Sequence, residues 1–195
     1  MKDRPLLLAS FNQHKLDEFR QMLPHLYRLE CLRDIGFTTE IPEPFDSFEE
    51  NALAKTSFVF QGTGIPCFAD DSGLQVDALH GRPGVLSARY AGEGRSAADN
   101  IQQVLRELGD NPERSARFVA VIAYQPAEKE SYLFKGTVEG RIGHTPIGES
   151  GFGYDPVFIP SGFDLTFGQL SPLLKNQISH RAKALELFLN FLKEQ

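Results

Sequence analysis

Two adjacent carboxylates, Asp70 and Asp71, stand between an apolar run, Ile65 to Ala69, and a Ser72-Gly73 pair. They open the stretch FADDSGLQVDALHGRPGVLSARYAG, Phe68 to Gly92, around which the rest of the chain is organised. The pattern predicts a buried strand that ends at the carboxylates, where the chain turns sharply. Ends of strands are where α/β proteins tend to place ligands. Neighbouring carboxylates repel, so keeping both ionised in a partly buried site requires a compensating cation, and a hard one such as Mg²⁺ prefers oxygen ligands. Asp and Ser are also common turn formers, so a plain turn cap at Asp70-Asp71-Ser72 is the competing reading.

A chain of 195 residues suits one domain, residues 1–195, with enough length for a substantial core. Net charge is −6 and the isoelectric point about 5.4, so no general basic field exists to hold a nucleic-acid backbone. Any phosphate binding must come from a focused local cluster. The apolar run near the start is five residues, too short for a secretory segment or a membrane span, which predicts a cytoplasmic protein. The two cysteines, Cys31 and Cys67, match no metal or redox spacing and read as buried reduced thiols.

Along the chain, Pro5 to Ala9 reads as a buried strand, and Leu16, Phe19, Met22 and Leu23 recur at helical spacing. The segment joining them, Ser10-Phe11-Asn12-Gln13-His14-Lys15, brings capping residues, a helix N-terminus and an ammonium to one point. A phosphate would be well received there, although an ordinary capped helix with an exposed lysine has the same sequence. No Walker loop is present. Tyr27 to Leu32 is a second strand, and Asp34 to Ser47 is loop. Ser47-Phe48-Glu49-Glu50 reads as a capping box opening a helix that closes near Gly62 or Gly64. Asn51 and Lys55 share a face of it, and Lys55 either joins Lys15 or stays solvated.

Ser96 with Asp99 opens a helix, Ala97 to Leu108, that Gly109 ends. Ala116 to Tyr124 and Ser131 to Val138 look like an antiparallel pair, pointing to a long mixed sheet. The segment 148–156 holds Gly148, Gly151 and Gly153, which let backbone approach a ligand, while Phe152 and Tyr154 offer faces on which a flat base can stack. Two core aromatics in a strained turn would look the same. Val157 to Pro160 is a short strand, Leu174-Lys175-Asn176 reads as loop, and Ser179 caps a last helix from His180 to about Lys193. His180 and Arg181 occupy its first turn, where cations oppose the helix dipole, a placement that favours an anionic or polar ligand.

Lysines at Lys15, Lys55 and Lys175 suit a triphosphate, carboxylates at Glu43, Asp70 and Asp71 suit Mg²⁺, and an aromatic glycine loop suits a base. Five segments in one order then carry a resemblance: LASFNQHKLDEF, FEENALAKT, the Phe68 to Gly92 stretch, GFGYDPVFIP and KNQISHRAKAL. Together they make the chain similar to the inosine triphosphate pyrophosphatases of the Ham1 or RdgB type. The resemblance implies an α/β fold with a long twisted mixed sheet flanked by helices, two lobes around a central cleft, and a homodimer. It implies Mg²⁺-dependent hydrolysis of non-standard purine triphosphates (ITP, dITP and XTP) to the monophosphate and pyrophosphate, which cleanses the nucleotide pool. Carried across by position, Ser10 to Lys15 (Ser10, Phe11, Asn12, Gln13, His14, Lys15) hold phosphates and Asp71 is proton acceptor and metal ligand. Asp70 supports Asp71, Ser72 touches substrate, and Phe152, Gly153, Tyr154, Asp155, Lys175, His180 and Arg181 complete the nucleotide site. Such proteins usually have a longer, glycine-containing acidic segment before the F-x-E-N-A motif than Ile41 to Ser47 here. Glu43 is the choice for second metal ligand, with Glu40 and Asp46 as alternatives.

A mechanism follows in which Asp71, or Asp70 through a neighbouring water, orients or deprotonates the water that attacks the α-phosphorus while Lys15 and Lys55 stabilise charge on the departing pyrophosphate. Hypoxanthine and xanthine carry a keto oxygen at C6 where adenine carries an amino donor, so a donor-only arginine, Arg181, favours the former. A Maf-like pyrophosphatase, a nucleotide sensor without turnover and a nucleic-acid-binding module are the competing readings. Asp71, Lys15 and Lys55 favour turnover over sensing.

Overall fold

The computed structural model describes residues 4–94 and 96–195. Residues 1–3, at the start of the domain expected over 1–195, and residue 95 lie outside the described residues. Strands β1 (Arg4–Leu8), β2 (Tyr27–Cys31), β3 (Cys67–Val76), β4 (Ser115–Ala127), β5 (Glu130–Ile142) and β6 (Phe158–Pro160) form one sheet in the order β2-β1-β3-β4-β5-β6. β1 runs parallel to both β2 and β3, whereas β5 and β6 are antiparallel, so the sheet is mixed. The helices are α1 (Gln13–Met22), α2 (Phe48–Thr63), α3 (Ala97–Leu108), α4 (Pro172–Ile178) and α5 (His180–Lys193), with short 3₁₀ turns at Asp77–Leu79 and Gly84–Arg89. The expected α/β architecture with a mixed sheet is what forms.

The local chemistry of the helix ends is the one the sequence encodes. Asn12 caps α1 by accepting from Lys15 N–H, and Ser47 caps α2 by accepting from Glu50 N–H. Ser96 and Asp99 form a reciprocal capping box on α3, and Ser179 Oγ accepts from Ala182 N–H at the start of α5. Gly64 ends α2 at φ 69°, a left-handed conformation that costs glycine nothing.

Two compact units divide the chain. The first holds the chain up to Asp71, Val121–Lys135 and Ala184–Gln195; the second holds Ser72–Ala120 and Gly136–Lys183. In the first, Leu7, Ala9, Leu32, Val59, Cys67 and Ala69 form one apolar cluster, and Phe68 lies edge-on to Phe19 at 5.3 Å and tilted against Phe188 at 5.3 Å. Truncating a buried Phe to Ala costs about 3–5 kcal/mol, so this apolar flank fixes the two residues that follow Ala69. In the second unit, Leu74, Val76, Ile101, Val104, Phe118, Val138, Tyr154, Phe158 and Phe167 share a core.

Two expectations are corrected. Asp70 and Asp71 are not at the end of a strand: β3 continues through Ser72 and Gly73 to Val76, because Leu74 and Val76 are fully buried apolar residues that keep the chain extended. Leu174-Lys175-Asn176 is helix rather than loop. Ser171 Oγ accepts from Leu174 N–H and Pro172 stands in the first turn, where its missing N–H costs no hydrogen bond.

Candidate active site

Pairing of Leu8 with Phe68 sets β1 and β3 in a register that places the residues after β1 beside Asp70. The Ser10 to Lys15 segment starts there: Ser10 Oγ accepts from Asn12 N–H, and the turn leads into α1. Lys15 reaches back from the first turn of α1. Its Nζ lies 2.7 Å from Asp70 Oδ2 and donates to the Asp70 carbonyl at 3.0 Å. Asn12, Gln13 and His14 are exposed, and Ser10 and Phe11 are half-buried, with Phe11 packed on the apolar cluster of the first unit.

Lys55 comes from α2 and is 5% exposed, too buried to be a surface lysine. Its Nζ lies 2.8 Å from Asp71 Oδ1, 2.6 Å from Glu43 Oε1 and 3.2 Å from the Asp70 carbonyl. Asn51, one turn earlier on the same face, is 1% exposed and holds Phe45 at both backbone groups, accepting from N–H at 3.0 Å and donating to C=O at 2.9 Å. Sequence reasoning put Asn51 and Lys55 on one face but gave Asn51 no task. It fixes the loop that carries Glu43. A buried amide on a helix face was the available signal.

Electrostatics explain the arrangement. Like charges about 4 Å apart repel by about 4 kcal/mol at an effective dielectric of about 20, so buried paired carboxylates need cations. Burial, the largest influence on Asp71, pushes its carboxyl above the ordinary 3.8, outweighing the attraction of Lys55 and Lys15. Burial alone would lower Lys55, but Asp71 and Glu43 together outweigh it and hold the ammonium charged, above the ordinary 10.5. Counted ionised, two lysines face three carboxylates, leaving one net negative charge.

Among the described residues no three His, Cys, Asp or Glu side chains form a ready ligand set for a metal. Two carboxylates, however, are neighbours: Glu43 and Asp71 flank the Lys55 ammonium, which itself fills the point between them. Asp71 Oδ2 is buried and has no hydrogen-bond partner among the described residues. Mg²⁺ is commonly held by one or two carboxylates with water and phosphate oxygens completing its shell, and this donor set fits that requirement.

The second unit holds the other candidate residues. Asp155 and Lys175, at 2% and 4% exposure, form an ion pair with Nζ 2.5 Å from Oδ2. The same Oδ2 accepts from Phe152 N–H at 2.7 Å. Gly151 has φ 75°, and a Cβ there would overlap the Asp155 carboxylate, so glycine is required by both backbone and space. Over the half-buried Phe152 ring lie Lys175 Nζ at 5.1 Å and Arg181 Cζ at 5.6 Å. Arg181, 1% exposed, donates to Ser72 Oγ at 2.9 Å. His180 stacks on Phe118 with centroids 4.7 Å apart and planes 11° apart. Gly153 is half-buried at φ 61°. Tyr154, expected beside Phe152 as a stacking face, is turned inward: its ring is 4% exposed and its hydroxyl donates to the Ser87 carbonyl at 2.9 Å.

The fold is thus of the mixed-sheet α/β class, with a lysine-clamped carboxylate pair in the first unit and an Asp-Lys-Phe-Arg cluster in the second. Comparison with known proteins is more specific. The Ham1 family matches residues 6–191. The dITP/XTP pyrophosphatase of Flavobacterium johnsoniae is 46% identical over 187 residues, covering 96% of this chain and 97% of that protein. That of Staphylococcus aureus strain MW2 is 41% identical over 190 residues, covering 97% of each. Among solved structures, the Staphylococcus aureus Ham1 protein superposes with a TM-score of 0.89 at 41% identity, covering 98% of this chain and 99% of that one. A HAM1 protein from Coxiella burnetii gives 0.90 at 39% identity, covering 98% and 100%. The chain belongs to the Ham1 family.

Proposed function

We propose that this chain hydrolyses non-standard purine nucleoside triphosphates, ITP, dITP and XTP, to the monophosphate and pyrophosphate in a Mg²⁺-dependent reaction. It is a nucleoside-triphosphate pyrophosphatase, the activity named for its relatives. The observation that carries the chemistry is the closing of Lys15 on Asp70 and of Lys55 on both Asp71 and Glu43. With one net negative charge the cluster would repel a triphosphate, and a divalent cation reverses that sign. Bound by Asp71 and Glu43, Mg²⁺ would neutralise phosphate charge and acidify a bound water.

The protein's own groups divide the remaining work. Asp71 Oδ2, buried and without a hydrogen-bond partner among the described residues, would take a proton from the water that attacks the α-phosphorus. The α–β anhydride bond breaks as the new P–O bond forms, and pyrophosphate departs with the bonding pair. A carboxyl held above its ordinary range is a stronger base than an exposed aspartate. Lys15 and Lys55 offset negative charge on the leaving group. Asp70, tied to Lys15 through both carboxylate and carbonyl, keeps that ammonium in place.

For the base, Phe152 supplies the stacking face and Arg181 the donor that suits a C6 keto oxygen. The Ser10 to His14 segment belongs to phosphate binding in this reading, and the homodimer and cytoplasmic setting remain part of it. The test is a panel of ITP, dITP, XTP, ATP and GTP incubated with Mg²⁺, with products identified. Pyrophosphate and monophosphate from ITP, dITP and XTP, at much higher kcat/KM than from ATP, is the expected outcome. Orthophosphate and diphosphate, or binding without turnover, would overturn it.

A further inference from the structure

The second half of the central stretch, from Gly81 to Gly92, supplies no residue to either cluster described above, yet it is bound into the second unit from several directions. Ser87 is its hub. Ser87 Oγ donates to the Gly84 carbonyl at 2.6 Å and accepts from Leu74 N–H at 2.9 Å, while the Ser87 carbonyl accepts from Tyr154 O–H at 2.9 Å. Asn100 of α3 clamps the next turn, donating to the Ala88 carbonyl at 3.1 Å and accepting from Ala91 N–H at 2.7 Å.

Leu74 is two residues from Ser72, which receives Arg181. Tyr154 is the neighbour of Asp155, which holds Phe152 N–H and Lys175. A closed circuit therefore runs Arg181, Ser72, Leu74, Ser87, Tyr154, Asp155, Phe152 and back to Arg181 over the Phe152 ring. Every polar link in it is a short hydrogen bond of a buried or half-buried group. We propose that Ser87, together with the Tyr154 hydroxyl, is a positioning residue that sets the spacing between the Ser72-Arg181 pair and the Phe152 loop. Its effect is on recognition of the purine ring rather than on bond cleavage. This inference rests on the base-reading role proposed for Phe152 and Arg181.

Tyr154→Phe removes the hydroxyl and keeps the ring in the core; Ser87→Ala removes the links to Leu74 and Gly84 and keeps the carbonyl. Loss of one neutral hydrogen bond in Tyr154→Phe, and of two in Ser87→Ala, is expected to raise KM for dITP about three- to tenfold in each variant, with kcat falling by less than KM rises. Hydrogen exchange should quicken in peptides covering 148–158 in Tyr154→Phe, and in those covering 72–76 in Ser87→Ala. A merely structural role would lower the melting temperature and leave KM at 25 °C unchanged. Unchanged exchange in both segments, or quicker exchange with unchanged KM, would overturn the proposal. If the unaltered enzyme itself releases no pyrophosphate from dITP, the proposed function fails, while exchange still decides whether Ser87 and Tyr154 hold the loop.

Discussion

The two carboxylate oxygens of Asp71 differ: Oδ1 pairs with Lys55, while Oδ2 is buried with no hydrogen-bond partner among the described residues, an asymmetry that an exposed carboxylate does not have. Cys67, four residues earlier in β3, has the opposite character. It is 1% exposed, and burial pushes its thiol from the ordinary 9.0 to about 12. A group whose proton is held more tightly in the folded state contributes stability below its unfolded pKa and loses it as pH rises toward the folded one. Stability should therefore decline between about pH 9 and 12, and Cys67→Ala should flatten part of that decline. Melting temperatures of the two proteins across that range check this, alongside an expected failure of iodoacetamide to label the native thiol at pH 8.

At the scale of elements, local signals and tertiary pairing part company. Capping residues Asn12, Ser47 and Ser96 announced α1, α2 and α3 correctly, because a cap is a contact over three residues that any reading of sequence can see. β3 was misread at Ser72-Gly73. Turn chemistry predicts a break there, but burial of Leu74 and Val76 overrides it, and lysines from α1 and α2 neutralise the aspartates inside the strand. Those lysines are 55 and 16 residues away from their partners, a separation no local pattern encodes. Glu43, chosen over Glu40 and Asp46 as second metal ligand, contacts Lys55, a placement that depends on how Asn51 folds the loop. Asn51→Ala should lower stability by about 1–3 kcal/mol, the cost of leaving buried backbone groups unpaired. It should also raise several-fold the Mg²⁺ concentration needed for half-maximal turnover. Chemical denaturation and a Mg²⁺ titration of dITP hydrolysis read the two effects separately.

For the whole molecule, the mixed α/β sheet was legible from alternating apolar runs and turn signals, and the five ordered motifs pointed to the Ham1 family. What sequence could not show is how the charges are spent. Lys15, Lys55 and Lys175 read as a set of phosphate binders, yet each closes on a carboxylate: Asp70, Asp71 with Glu43, and Asp155. Each ammonium holds a carboxylate in place and offsets its charge. Asp71 is the centre of this account, and Asp71→Asn keeps its size while removing its charge. Pyrophosphate release from dITP at saturating Mg²⁺ should fall by about 100-fold or more in that variant, in line with loss of a general base. Release at a rate near that of the unaltered enzyme would contradict the assignment.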